Sequence, residues 1–114
     1  LLAQLGANID TPNMAGATPL YIAAFQGHTK MVKLLAQLGA NIETPQKDGA
    51  TPLYISSQQG HTETVRALAQ LGANIETPNK NGATPVFIAA QNGHLEVARL
   101  LLSTVHAVDL VAQL

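Results

Sequence analysis

Three histidines at equal spacing are the first residues to consider for chemistry. His28, His61 and His94 follow one another every 33 residues, each directly after a glycine. Imidazole nitrogens bind zinc and exchange protons in catalysis, so a triplet of this kind could form a metal centre. Stacked helices, however, lie about 8–10 Å apart, whereas zinc–ligand bonds are about 2 Å long. We therefore interpret each ring as a structural group at the start of a helix and predict no metal site.

Carboxylates at Asp10, Glu43 and Glu76 repeat at the same interval. Neighbours in this series are expected to lie about 10 Å apart, close to the Debye length, which favours solvated charges over perturbed acids. Catalysis also requires a nucleophile, a base and an oxyanion donor in one cleft. The polar residues here instead recur along a ridge, so we predict no catalytic residue, no cofactor and no enzymatic activity.

All of these residues belong to a tandem repeat. The stretch from Gly16 to Asp48 returns almost unchanged from Gly49 to Asn81, and a third copy begins at Gly82. A period of 33 residues is typical of helical solenoids, in which each copy must pack on its neighbours to be stable. We divide the single array of residues 1–114 into a partial repeat, two full repeats, a truncated repeat and a C-terminal helical extension, at 1–12, 13–45, 46–78, 79–103 and 104–114.

Each copy carries signals for two short helices. Thr18 precedes a proline and an apolar run, which is typical of a helix start, and Gly27 provides a left-handed residue at which the helix can end. A second helix is predicted from His28 to Gly39, with apolar residues at helical spacing. Residues 40–50 contain Thr-Pro and Asp-Gly pairs, which indicate an extended segment and a sharp, hairpin-like turn.

The repeated letters resemble the ankyrin repeat family. The family's T-P-L motif lies at Thr18 to Leu20 and Thr51 to Leu53 and occurs as T-P-V at Thr84 to Val86, and the G-H and L-G-A elements match as well. The resemblance extends from Leu1 to about Leu102. It implies an all-α ankyrin-repeat solenoid of paired antiparallel helices with hairpin-like loops, and a function in protein–protein interaction.

Two features depart from the family pattern. Tyr21, Tyr54 and Phe87 stand where the family usually has a histidine, so an aromatic ladder is expected in place of that histidine's hydrogen bonds. The middle copy has Ser56 and Ser57 where its neighbours have alanine pairs. Serine is the poorer helix former, so we expect the middle copy to be the least stable.

In ankyrin proteins, partners usually bind the inner face formed by the hairpin tips and the exposed side of the first helices. These are also the positions at which the present copies differ. The resemblance therefore implies a protein or peptide partner bound by Met14, Ala15, Ala17, Phe25, Gln26, Lys47, Asp48, Ala50, Gln58, Gln59, Lys80, Asn81, Ala83, Gln91 and Asn92.

Met14 and Phe25 are the expected anchors for that partner. The alternative interpretation is that Phe25 covers the preceding half-repeat and that Met14 is an ordinary exposed side chain.

Composition excludes other partners. Six basic and seven acidic side chains, 11% charged residues in all, create no positive field for nucleic acid or an anionic membrane. Cysteine is absent, which excludes disulfides and fits a reducing compartment. No signal peptide and no apolar run of about 20 residues is found, so a cytoplasmic location is expected.

The repeat pattern fails near the C-terminus, where Thr104 to His106 replace the L-G-A element. Helical apolar spacing continues, which indicates one long helix. Alternatively, Ala107 to Leu114 match Met31 to Leu38, as if they were the second helix of a further, incomplete repeat. Either form leaves an apolar end, so we predict weak self-association through this segment, with Leu110 to Leu114 meeting Leu1 to Leu5 of another molecule.

Two other functions fit the same sequence. Near-identical copies without polar end caps are typical of a spacer cut from a longer array or of an engineered scaffold with no selected partner. The array could also be the targeting arm of an enzyme located elsewhere in a longer protein.

Overall fold

The computed structural model describes residues 8–112 of the chain. Within this range it contains six α-helices and no β-strand: α1 Pro19–Gln26, α2 Thr29–Gln37, α3 Pro52–Gln59, α4 Thr62–Gln70, α5 Pro85–Gln91 and α6 Leu95–Ala112. The short helices α1, α3 and α5 alternate with the second helices α2, α4 and α6. The all-α repeat architecture predicted from the sequence is confirmed.

The first helix of each copy begins as the Thr-Pro pair predicts. The hydroxyl oxygen of Thr18 accepts a hydrogen bond from Tyr21 N at 3.2 Å, and Thr51 accepts one from Tyr54 N at 3.1 Å. The proline that follows each threonine needs no hydrogen-bond acceptor, because it has no amide hydrogen. α1 ends at Gly27, whose φ of 77° places it in the left-handed region as expected for a helix C-cap.

The second helices bury one narrow stripe of side chains. Val32 and Leu35 of α2, and Val65 and Leu68 of α4, point into the core. Met31 and Leu34 of α2 are exposed instead, although they belong to the same predicted apolar stripe. The stripe is therefore wider than the part that α2 buries.

The copies stack in two rows. α3 lies between α1 and α5, and α4 lies between α2 and α6, so each first helix packs on its equivalents and on its own second helix. The interface between the first two copies includes a hydrogen bond of 2.8 Å between the hydroxyls of Thr29 and Thr64. Apolar burial in both rows forms one continuous core, as expected for a solenoid.

The loops between copies form hairpin-like turns, as predicted. Each turn is closed by a main-chain hydrogen bond, from Asn13 N to Ala17 O at 2.9 Å in the first copy and from Gln46 N to Ala50 O at 3.0 Å in the second. The third turn has the equivalent bond between Asn79 and Ala83, also at 2.9 Å. These short closures hold the turns without a β-strand in the described part of the chain.

Two of the three repeated carboxylates connect neighbouring copies. Asp10 Oδ1 accepts from Asn41 N at 3.1 Å, and Glu43 Oε2 accepts from Asn74 N at 2.8 Å. Glu43 Oε1 is buried and has no hydrogen-bond donor among residues 8–112. The prediction of purely solvated charges was therefore wrong for Asp10 and Glu43, because each carboxylate lies within reach of a loop amide of the next copy.

The last helix is longer than its equivalents. α6 runs for 18 residues without a break, in agreement with the prediction of one long helix. The predicted contact of Leu110–Leu114 with Leu1–Leu5 depends on residues 1–7 and 113–114, and on side chains beyond Thr104, which lie outside the described structure. The predicted repeat boundaries stay predictions. None of the described helices has the length and hydropathy needed to cross a membrane.

Candidate functional site

The hairpin tips are joined to one another by main-chain hydrogen bonds. Lys47 N donates to Ala15 O at 3.0 Å, and Lys80 N donates to Asp48 O at 2.9 Å. Within the first tip, Asn13 Oδ1 accepts from the amides of Ala15 and Ala17 at 2.9 and 3.0 Å. These bonds fix the tips relative to one another, so their outward side chains are presented on a rigid edge.

Glycine is required at the tips because neighbouring hairpins approach closely. Gly49 has a φ of 86°, and a Cβ atom at this position would lie 2.8 Å from Lys80 N. At Gly16, with a φ of 82°, the corresponding distance to Lys47 N is 3.2 Å. Any larger residue would combine a strained backbone with a clash against the main chain of the next hairpin.

Histidine rings connect the C-terminal ends of the first helices to the next copy. His61 Nε2 lies 3.0 Å from Phe25 O, and His94 Nε2 lies 2.9 Å from Gln58 O. Asn92 Nδ2 also donates to Gln58 O at 3.1 Å. Because a carbonyl oxygen only accepts, Nε2 of each ring must carry the hydrogen.

The prediction that these histidines are structural is supported by this geometry. His28 and His61 occupy the N-cap positions of α2 and α4, although neither side chain caps its own helix. Among residues 8–112, no group of three or more His, Asp or Glu side chains could hold a metal ion. The sequence did not indicate the carbonyl partners, since these lie one copy away.

The predicted partner-binding residues fall into three groups. Two are half-buried, Gln58 and Ala83. Two are buried, Ala17 and Ala50, and cannot offer a side chain to a partner. The remaining residues are exposed along one side of the array: Met14, Ala15, Phe25, Gln26, Lys47, Asp48, Gln59, Lys80, Asn81, Gln91 and Asn92.

The prediction was wrong for Ala17 and Ala50 because both residues lie at the base of a hairpin. Their carbonyl oxygens accept the hydrogen bonds that close the turns, and their methyl groups join the hydrophobic core. The sequence places them beside variable positions, but a one-residue step along a hairpin reverses the direction of the side chain.

The aromatic ladder is partly covered. Tyr21 and Tyr54 are buried between the first helices and the following hairpins, whereas Phe87 is exposed. The Tyr54 hydroxyl accepts a hydrogen bond from Asn79 Nδ2 at 3.1 Å, so one ladder residue does make a polar contact with the next repeat.

Burial also changes the titration of these phenols. Burial, and to a smaller extent the nearby charge of Asp48 and the phenol of Tyr54, raises the pKa of Tyr21 to about 12. Burial also raises the pKa of Tyr54 above 10.0. Both phenols are therefore held in the neutral form beneath the hairpin tips at neutral pH.

Ser56 and Ser57 lie in the core of the middle copy and are fully buried. Both hydroxyls donate to Leu53 O, at 3.0 and 2.8 Å. The sequence predicted bonds to carbonyls one turn back, at Pro52 and Leu53, and only Leu53 is used. The serines are satisfied within their own helix and contribute no group to the exposed surface.

One feature missed by the sequence analysis is an apolar groove beside the first copy. It has a volume of about 490 Å³, and Pro19, Ile22, Gln26, His28 and Met31 are among its lining residues. The signal that could have identified it is position in the array, since the equivalent surface of each later copy is covered by the copy before it.

The fold and the ladder of hairpin tips define a stacked array of helix-pair repeats. Residues 39–113 match the family model described as ankyrin repeats in three copies, and residues 15–46 match the single ankyrin repeat. The chain belongs to the ankyrin repeat family. Members of this family are generally protein–protein interaction modules and are generally not enzymes. Among curated proteins, none has a sequence significantly similar to this chain.

Proposed function

We propose that the chain is a non-enzymatic interaction module that binds a protein or peptide on its inner face. We define the inner face as the exposed hairpin-tip residues together with the exposed C-terminal ends of the first helices, at Met14, Ala15, Phe25, Gln26, Lys47, Asp48, Gln59, Lys80, Asn81, Gln91 and Asn92.

The observation that carries this proposal is the combination of a fixed backbone with variable side chains. The tips are linked by the bonds from Lys47 N and Lys80 N, and the helix ends are linked by the histidine rings of the following copies. A surface held in this way loses little conformational entropy when a partner binds. The copies differ from one another on this surface, while the residues beneath it are nearly identical.

The chemistry of the inner face favours a protein or peptide ligand. Met14 and Phe25 give one end an apolar character, and side-chain amides dominate the other end. Lys47 and Lys80 are the only basic side chains of the face as defined here, and Asp48 lies beside them. This mixture lacks the dense positive charge that nucleic acid or an anionic membrane would require. The expected cytoplasmic location stays a prediction.

The rival interpretation is a spacer or engineered scaffold without a selected partner. Near-identical copies favour it, whereas the concentration of sequence differences on one accessible surface favours a binder.

A photo-crosslinking amino acid placed at Gln59 tests the proposal in intact cells. Gln59 is exposed at the end of α3, and Arg66 on the outer side of α4 provides the matched control position. A binder gives one recurrent crosslinked protein from Gln59 and none from Arg66, and purified partner then binds the unmodified chain. A spacer gives the same weak, unspecific pattern at both positions, which would overturn the proposal.

A further inference from the structure

The two ends of the array expose surfaces that the inner copies cover. We call the side of a copy that packs on the preceding copy its leading face, and the side that packs on the following copy its trailing face. On the leading face, Ile22 of the first copy is 38% exposed, whereas the equivalent Ile55 is 5% exposed. Met31 is 48% exposed, whereas the equivalent Thr64 is 1% exposed. These residues line or border the apolar groove of the first copy.

The trailing face of the third copy is open in the same way. Phe87 is 57% exposed, whereas the equivalent Tyr54 is 4% exposed beneath the third hairpin. Leu95 is 65% exposed, at the position where Thr29 and Thr62 are half-buried. Both ends thus present large apolar side chains at the positions that form the two internal interfaces.

The apolar substitutions at the two ends match each other. In the first internal interface the hydroxyls of Thr29 and Thr64 form a hydrogen bond of 2.8 Å. A third interface of the same kind would bring Leu95 against Met31 at these two positions. An apolar residue opposite a threonine would leave the hydroxyl without a partner, whereas two apolar residues require none.

Unused polar groups at the two ends are also complementary. In both internal interfaces a histidine Nε2 lies within hydrogen-bonding distance of a helix-end carbonyl of the preceding copy. Among residues 8–112, the ring of His28 has no such carbonyl and Gln91 O has no such ring. His28 and Gln91 stand at the equivalent positions of the two open ends.

The loop carboxylates extend the same series. Asp10 accepts from Asn41 N and Glu43 accepts from Asn74 N, one copy further along. The next acceptor is Glu76, and the residue equivalent to Asn41 and Asn74 at the start of the array is Asn8. An amide at Asn8 of a second molecule would therefore complete the series at Glu76.

We propose that two copies of this chain stack head to tail, with the leading face of the first copy in one molecule covering the trailing face of the third copy in another. The contact repeats the two internal interfaces, with Leu95 on Met31, Gln91 O bonded by His28, and Glu76 bonded by the amide of Asn8. It joins unlike surfaces, so each added molecule leaves a new open face, and the stack can grow without closing. This inference does not depend on the proposed inner-face function.

The stack places a requirement on the connecting segments. By repeat position, residues 1–7 of the incoming molecule coincide with residues 100–106 of the molecule that receives it, and α6 already occupies the latter. Residues 1–7 of the incoming molecule must therefore lie outside the contact. α6 continues as a helix where earlier copies turn into a loop, which leaves the loop position for the chain that begins at Asn8.

Two charge substitutions test the proposal, one on each face. Met31→Glu blocks the leading face and Leu95→Glu blocks the trailing face, and both side chains are exposed, so folding of the single molecule is preserved. Lys33→Glu on the exposed side of α2 is the control. Mass is measured by sedimentation equilibrium over a concentration series, and helix content is checked by circular dichroism.

The expected result is that the average mass of the unmodified chain and of Lys33→Glu rises steadily with concentration. Each face variant alone associates at least tenfold more weakly. An equimolar mixture of Met31→Glu and Leu95→Glu forms a dimer that grows no further, because one intact face of each kind is available. A monomeric unmodified chain at every concentration would overturn the proposal, as would a folded mixture that remains monomeric.

A covalent trap gives an independent reading, since the chain contains no cysteine. Met31→Cys and Leu95→Cys chains are mixed and oxidised by glutathione. Head-to-tail stacking yields the mixed disulfide in excess over either homodimer, because only unlike positions meet. Equal, random amounts of the three disulfides would contradict the stacked geometry even if the chain associates.

Discussion

His61 Nε2 lies 3.0 Å from the main-chain oxygen of Phe25, and the same imidazole covers the backbone of Gly27. A Cβ atom at Gly27 would lie 2.7 Å from His61 Nδ1. The ring therefore uses space that only a glycine provides, and it bonds the end of the helix on which Phe25 is exposed. Repeat stability and the shape of the inner face are thus connected through one contact.

Gly27→Ala is expected to destabilise the protein more than Gly93→Ala. Both glycines have a left-handed φ, 77° and 75°, so alanine costs roughly 1–2 kcal/mol at either position. Only at Gly27 does the new methyl group also displace the ring of His61, which adds about 1 kcal/mol for the lost hydrogen bond. Urea denaturation measures both free energies of unfolding. Equal losses would show that the ring contact contributes nothing to stability.

Replacing Ser56 and Ser57 together by alanine is expected to raise the free energy of unfolding by about 0.5–1 kcal/mol. Alanine is the better helix former, and both hydroxyls bond only to Leu53 O of their own helix. The first copy, with Ala23 and Ala24 buried at the equivalent positions, shows that alanine is accommodated there. Thermal and urea unfolding provide the measurement. A loss of more than about 1 kcal/mol would instead assign the hydroxyls a role in bridging to another group.

Stability is expected to fall between pH 10 and pH 12 because of Tyr21. The raised pKa of Tyr21, about 12 against 10.0, means that the unfolded chain loses the phenolic proton first. The stabilisation is complete below pH 10 and is lost as pH rises through 12, with a total on the order of 2 kcal/mol.

Tyr21→Phe is the control for this pH dependence, because phenylalanine stands at the equivalent position in the third copy. Urea denaturation at pH 8, 10 and 11 should show a shallower decline for Tyr21→Phe than for the unmodified chain. Identical declines would mean that the phenol of Tyr21 is not protected from titration in the folded state.

The helices could be predicted closely because their signals are local. Thr18 with its proline, and Gly27 with its left-handed φ, determine where α1 begins and ends through hydrogen bonds within a few residues. The period of 33 residues then places every later helix. The fold class follows from these two kinds of information.

Exposure could not be predicted because it depends on which copies are neighbours. Ile22 and Ile55 have identical local sequences before them, yet only Ile55 is covered by a preceding copy. Ala17 was assigned to the surface for a related reason, since side-chain direction within a hairpin is set by the closing hydrogen bonds. The carbonyl partner of His61 lies 36 residues away, beyond the reach of local signals.

The central claim is that partners bind the inner face, and the affinity of the crosslinked partner for Phe25→Ala tests it most directly. Phe25 is half-exposed at the end of α1, whereas Lys33 and Arg66 are exposed on the second helices. We expect Phe25→Ala to weaken binding by about 2 kcal/mol, which is about 30-fold, and Lys33→Ala and Arg66→Ala to change it less than twofold. Unchanged affinity for Phe25→Ala, together with a loss for Lys33→Ala or Arg66→Ala, would place the partner on the second helices and contradict the account.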